Sequence, residues 1–261
     1  MGLSLPLISA LAGICETYRA SGSLLALGVQ TIRTNGPDVA RVIGPLRGRP
    51  PEDLPSEVRD RDVYRALGFG ESTSIDLFPG ESPDRIVDLG APLPDDMKGR
   101  FNAFLDSGTL EHVFDVRTAC TGLINALRVG GVAIHISPFG GFENHGFYQF
   151  GPKFFARLYA ANGFHQMQSW VIGLTEDDNR GSVVPVADFE ASLRPDPAWF
   201  RSLVLFAARR AEVRPFAAPI DTHLAELSVP RSLALAPDAR MVSGLAAAGF
   251  GPTGGNARLQ A

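Results

Sequence analysis

The sequence predicts an α/β protein built on a doubly wound, mostly parallel, seven-stranded sheet with helices on both faces. Short apolar runs of strand length recur along the chain and end on an acid or a glycine, as in SLLALG (23–28), STSIDL (72–77), RIVDL (85–89) and FNAFLD (101–106). Segments with helical spacing of apolar residues alternate with these runs across short links, the pattern of successive strand–helix–strand units. A hydrophobic content of 45% over 261 residues supplies a core of the size such a domain needs.

The elements follow in order. Within residues 1–22, Leu7, Leu11, Ile14 and Tyr18 recur at helical spacing with Ile8 and Cys15 beside them, so this segment is expected to be an N-terminal packing helix. No positive charge precedes its apolar run, which argues against a signal peptide. The main domain is expected over 23–213. Its first strand is 23–28, followed by an inserted Pro- and Arg-rich loop at 34–62 and a short helix in DRDVYRALGF. Strands two and three are 72–77 and 85–89, the latter stopped by Gly90-Ala91-Pro92. Strand four, 101–106, leads into a helix that opens at Glu111-His112 and breaks at Gly130-Gly131. Strand five, 132–137, precedes a histidine- and aromatic-rich loop and another helix. Strand six is 166–174, a polar insertion occupies 175–199, and the last strand is 202–208. Residues 214–261, dominated by Ala, Pro and Gly, are expected to form a partly disordered extension.

A net charge of −4 without any dense Lys/Arg run argues against nucleic acid or an anionic membrane as partner. No segment has the length and apolarity of a membrane span. Cys15 and Cys120 lie in apolar helical patterns without metal-ligand spacing, so both are expected as buried free thiols in a reducing cytoplasm. A small-molecule substrate is the expected partner, and a homo-oligomer is left open. The chain carries no GxxxxGK(S/T) loop, GxSxG elbow, HExxH or paired CxxC.

In a sheet of this kind the ligand crevice lies at the carboxyl ends of the first four strands. Asp76 closes strand two, where its carboxylate either accepts hydrogen bonds from a ligand diol or caps the turn at Phe78-Pro79-Gly80. Asp88 and Leu89 close strand three, where they contact a ligand or support a Pro-rich turn. Asp106, Ser107 and Gly108 end strand four, an acid with small neighbours that let a ligand approach the backbone. Glu111 suits the positive end of a helix whatever else it does. His112 adjoins it, but adjacent positions on an α-helix diverge by about 100°, so the two are not expected to share an ion and no metal is expected. In the loop after strand five, His145 is either a general base or a residue that holds the turn, while Phe147, Tyr148 and Gln149 are expected to shape a substrate pocket together with Glu111 and His112. His135, inside strand five, reads as a buried packing residue.

Glu111-His112-Val113, Leu127-Arg128-Val129-Gly130-Gly131 and Gly163-Phe164 resemble, in this order, the later motifs of class I S-adenosylmethionine-dependent methyltransferases. The segments LDSGTLEHVFD and NHGFYQFGPKFF look like a bacterial subgroup of methyltransferase-like proteins associated with cell-surface sugar or secondary-metabolite pathways. The resemblance implies a Rossmann-like methyltransferase fold, S-adenosylmethionine as cofactor, its ribose on Asp76, its adenine beside Asp88 and Leu89, and its methionine part near Asp106, Ser107 and Gly108. The implied activity is methyl transfer to a small polar metabolite or sugar-like hydroxyl. The first motif departs from the family. Gly28 is kept, but Ala26 stands where an acid is expected, and Gln30 and Ile32 stand where glycines are. Gln30 is then expected to supply a side-chain donor in place of backbone amides. That departure keeps two alternatives in view, a catalytically silent binding or scaffold subunit and a repurposed fold with another reaction.

Overall fold

The computed structural model of the chain describes residues 2–48, 53–176, 181–221, 231–233 and 235. The strands are β1 (Gly2–Leu3), β2 (Gly22–Leu27), β3 (Thr31–Ile32), β4 (Phe69–Asp76), β5 (Arg85–Ile86), β6 (Phe101–Ser107), β7 (Leu127–Gly140), β8 (Phe164–Leu174), β9 (Gly181–Pro185) and β10 (Arg201–Arg210). Eight of them form one sheet in the order β5-β4-β2-β6-β7-β10-β8-β9, and β1 with β3 makes a separate parallel pair. All pairings from β5 to β7 are parallel, whereas β10 runs antiparallel between β7 and β8, and β9 is antiparallel on β8. The chain starts in the middle at β2, winds outward through β4 and β5, and returns across β2 to β6. The reversal places a crevice at the carboxyl ends of β2 and β6.

The pleat sends alternate residues of each strand to opposite faces. Leu24, Ala26, Ala103 and Leu105 pack into one core with α1 (Leu5–Thr17), α2 (Gly36–Leu46) and α3 (Asp60–Ala66). Leu25, Leu27, Phe101 and Phe104 pack into the other with α4 (Val116–Ala126) and α5 (Pro152–Ala161). Helix α1 is buried nearly all round, and just past its end the Tyr18 hydroxyl donates to the carbonyl of Ala207 at 3.0 Å and to that of Gln166. The last carbonyls of α4 are met by buried Arg210, which donates to Ile124 O at 2.7 Å and to Leu127 O. Cys15 and Cys120 are free and buried, and burial pushes both thiols up to about 12.

Four differences from the sequence reading have local causes. The main sheet has eight strands rather than seven because part of the polar insertion, VVP with its neighbours, continues from β8 as edge strand β9. The expected loop at 34–62 contains α2: Asn35 accepts from the Asp38 N–H at 2.9 Å as an N-cap, and Val39, Val42 and Ile43 give an apolar face that Pro45 leaves intact near the helix end. The helix expected at Glu111 begins only at Val116, capped by Asp115, so Leu110–His112 is a 3-10 turn. Residues 214–221 stay on the domain surface, with Phe216 packed on the core and Ala217 bonded through its N–H and C=O to the Asn162 side chain at 2.9 and 2.8 Å. Most of the expected disordered extension lies outside the described residues.

Candidate functional site

The crevice is a cleft of about 620 Å³. Gly28, just past β2, turns at φ +72° and donates its N–H to Ile75 O at 2.8 Å, and Gly108, just past β6, turns at φ +76° and donates to Ile136 O at 3.0 Å. At both positions the left-handed backbone favours glycine. Asp76 ends β4 facing Gly28: a Cβ on that glycine would lie 3.6 Å from Asp76 Oδ2. Its Oδ1 accepts from the Phe78 N–H at 3.0 Å, so the carboxylate caps its turn and still presents its second oxygen toward the cleft. Asp88 lines the same wall and accepts from the Gly90 N–H at 2.7 Å. Buried Leu89 and Val87 floor that end, while Leu77, Phe78, Phe114 and Phe147 stand exposed at the rim. Phe114 and Phe147 meet edge to face, with centroids 5.6 Å apart.

Gln30 lines the cleft too. One N–H of its side-chain amide donates to Leu27 O at 3.1 Å and its backbone N–H points to Asp60 at 3.3 Å. Its Oε1 is a buried acceptor without a hydrogen-bond partner among the described residues. Thr109, which the sequence reading passed over, also lines the cleft and donates its hydroxyl to Leu27 O at 3.1 Å, tying the end of β2 to the end of β6.

Asp106 and Ser107 lie beneath the cleft floor, fully buried, and do not border it. Asp106 Oδ1 accepts from the N–H groups of Thr109 and Leu110, both at 3.1 Å, and Oδ2 is 2.8 Å from His135 Nδ1. His135 Nε2 is in turn 2.6 Å from the Tyr159 hydroxyl, whose ionisation burial holds well above its ordinary range. Asp106 with the proton on His135 Nδ1, and Tyr159 donating to Nε2, satisfies the whole chain. A place for Asp106 beside a ligand's positive charge is therefore replaced by a structural one: it fixes the turn that carries Glu111 and His112. The register offered a clue, since Asp106 and His135 are partners on adjacent parallel strands.

That turn and the loop after β7 bring three expected residues together. Glu111 is fully buried, and among the described residues no other residue donates a hydrogen bond to either carboxylate oxygen. His112 Nε2 lies 3.9 Å and His145 Nε2 3.8 Å from Glu111 Oε1. The expected divergence of Glu111 and His112 does not keep them apart, because the His112 side chain reaches to within 3.9 Å of Glu111 Oε1. Burial, and then the Asp106 charge, raise the Glu111 carboxyl to about 8; burial, and then His145, hold His112 below the usual histidine range. His112 and Phe147 border the cleft, while His145 borders a second cavity of about 400 Å³ that also meets Arg33, Arg201 and Asn144. Tyr148 and Gln149 border neither; they brace the loop by donating to Phe114 O at 2.9 Å and Phe142 O at 3.0 Å.

No protein-family model and no curated relative matches the sequence. Among solved structures, the chain is similar to the N-methyltransferase NodS from Bradyrhizobium japonicum in complex with S-adenosyl-L-homocysteine, at 11% identity over 78% of this chain and 86% of that one, TM-score 0.44. It is also similar to the YcgJ protein of Bacillus subtilis, at 11% identity over 78% and 98%, TM-score 0.44. Against the citrinin polyketide synthase CMeT domain it aligns over 73% of its length at 11% identity and TM-score 0.40, and spans 46% of that chain. The strand order, with one antiparallel strand inserted between β7 and β8, decides the architecture. The fold is Rossmann-like. No helix among the described residues is long and apolar enough to cross a membrane.

Proposed function

We propose that this chain is an S-adenosylmethionine-dependent methyltransferase whose acceptor is a small polar metabolite or sugar-like hydroxyl, working in the cytoplasm. The observation that carries the reading is the convergence on one cleft of Asp76 and Asp88, from consecutive strand ends, with the left-handed turns at Gly28 and Gly108. The cleft suits the cofactor chemically. Asp76 Oδ2 is an acceptor for a ribose hydroxyl, the apolar floor of Val87 and Leu89 takes a flat base, and the orphaned Gln30 Oε1 is an acceptor for the α-ammonium group. Bound there, S-adenosylmethionine supplies an electrophilic methyl group on a sulfonium.

The chain's own contribution is mainly alignment in a site sheltered from water. Phe114 and Phe147 form an apolar rim over the cleft, and His112 marks its boundary toward the second cavity, where His145, Arg33 and Arg201 give an acceptor polar surroundings. His145 then acts on the acceptor side, at a hydroxyl proton or oxygen.

The two cavities make separable predictions. Asp76→Ala is expected to weaken S-adenosylmethionine binding by about 1.5–3 kcal/mol, the scale of hydrogen bonds lost from a charged acceptor. His145→Ala is expected to leave that affinity at the wild-type value and to lower turnover about a hundredfold. Calorimetric titration of both folded variants checks this. Undiminished affinity in Asp76→Ala would move the ribose contact elsewhere.

A further inference from the structure

We propose that Glu111, His112 and His145 form a binding site for a first-row divalent transition-metal ion, of which Zn²⁺ is the best fit, with an open coordination position where the two cavities meet. The site stands on these side chains and does not rest on methyl transfer. One ligand atom from each lies within 4.8 Å of the other two. Bonds of about 2.0–2.1 Å in a tetrahedral arrangement would put such atoms about 3.3 Å apart. The contacts of 3.8 and 3.9 Å to Glu111 Oε1 are thus open by about half an ångström, within reach of modest imidazole rotation. Both imidazoles are free to make it, since their side chains are 46% and 40% exposed.

Glu111 is the independent sign of a ligand. A carboxylate with no exposed surface and no donor from any other described residue at either oxygen is costly to bury, and a cation between it and the two imidazoles removes that cost. The backbone is arranged to hold the group. Glu111 O accepts from the N–H groups of Phe147 at 2.9 Å and Tyr148 at 3.2 Å, which pins the loop bearing His145 onto the turn bearing His112. Gly146 passes so close that a Cβ there would lie 2.8 Å from Glu111 O and 3.1 Å from Glu111 Cγ. Nitrogen and carboxylate donors together favour Zn²⁺ and its first-row neighbours over Mg²⁺ or Ca²⁺. Three protein ligands leave a position for water or an acceptor oxygen, as in catalytic zinc sites. His112 on the cleft wall and His145 on the wall of the second cavity place that position between them.

The test is a titration of the metal-free full chain with Co²⁺, followed by its visible absorption, with Zn²⁺ as competitor. One equivalent of Co²⁺ should give the bands of a four- or five-coordinate ion, and Zn²⁺ should bleach them. His112→Ala and His145→Ala, at exposed side chains and checked for folding by circular dichroism, should each lose more affinity than the ~10–100-fold that changes around a metal's ligands cost. His165→Ala, at a histidine outside the cluster, should bind as the wild type does. Absence of a stoichiometric band, or equal affinity in the folded His112→Ala and His145→Ala proteins, would overturn the site. Since the readout is the metal's own spectrum, a positive result stands even if the chain binds no S-adenosylmethionine.

Discussion

Asp106→Ala is expected to lower the folding stability by about 3–5 kcal/mol, the cost of dismantling a buried, charge-bearing hydrogen-bond network. The carboxylate receives the N–H groups of Thr109 and Leu110 and faces His135 Nδ1, and buried Leu110 and His135 have no water to turn to when it is removed. His135 would also lose the partner that sets its tautomer, and with it the geometry of the 2.6 Å contact to Tyr159. Asp106→Asn keeps the shape but supplies an N–H₂ group against donors, so it should fall between wild type and alanine. Urea denaturation of the three proteins under one set of conditions measures the order. A loss in Asp106→Ala below about 1 kcal/mol, the scale of one ordinary hydrogen bond, would mean that water enters the network and that Asp106 does not fix the turn.

Glu111→Gln is expected to do the opposite and stabilise the chelator-treated protein at alkaline pH, by about 1–3 kcal/mol. The carboxyl is raised to about 8, by burial first and by the charge of Asp106 second. In the unfolded chain it ionises near its ordinary value of 4.5, so the native state holds the proton more tightly across the interval between. Wild-type stability therefore falls as pH rises from about 4.5 towards about 8, and a glutamine, which does not titrate, escapes that fall. The two stability curves should lie close together at acidic pH, separate through neutrality and run parallel above about 8. Saturating Zn²⁺ should then reverse the order at neutral pH, because it adds free energy only to the protein that binds it. Coincident curves throughout would show that the native carboxylate already has a partner. A residue whose replacement strengthens the bare fold points to a function that offsets its cost.

The parts of this molecule that sequence pattern made legible are those in which one residue type has one mechanical consequence. Apolar runs closed by Asp76 and Asp106 are strands pointing the same way, so their ends meet at one edge, as found, whereas the run expected at 85–89 pairs only at Arg85–Ile86 and leaves Asp88 beyond the strand. Gly28 and Gly108 fit the same rule through the turns they permit. The two aspartates with neighbouring turns to cap, Asp76 and Asp88, do cap them and still border the cleft, so the alternative readings of each were not exclusive. Less was legible where contacts between distant segments decide the outcome. Helix α2 was hidden among prolines and arginines although Asn35 caps it and Val39, Val42 and Ile43 recur at helical spacing. The edge strand β9 takes its structure from pairing with β8 and not from its own composition. Asp106 shares the strand-end pattern of the other acids, yet the imidazole of His135 on the next strand draws it inward. The meeting of Glu111, His112 and His145 depends on the reach of the His112 imidazole and on a loop docked by the Glu111 carbonyl, neither of which a helical wheel represents.

The measurement that tests the functional account most directly is calorimetric titration of the full chain with S-adenosylmethionine and with S-adenosylhomocysteine. The cleft offers an acceptor for the ribose at Asp76, an apolar floor at Leu89 and an acceptor for the ammonium group at Gln30. The account predicts one site per chain for each ligand, with a dissociation constant of about micromolar order, near −8 kcal/mol. Absence of binding at about millimolar ligand, where less than −4 kcal/mol would be at stake, would contradict it and leave a methyltransferase-like fold serving as a binding or scaffold subunit.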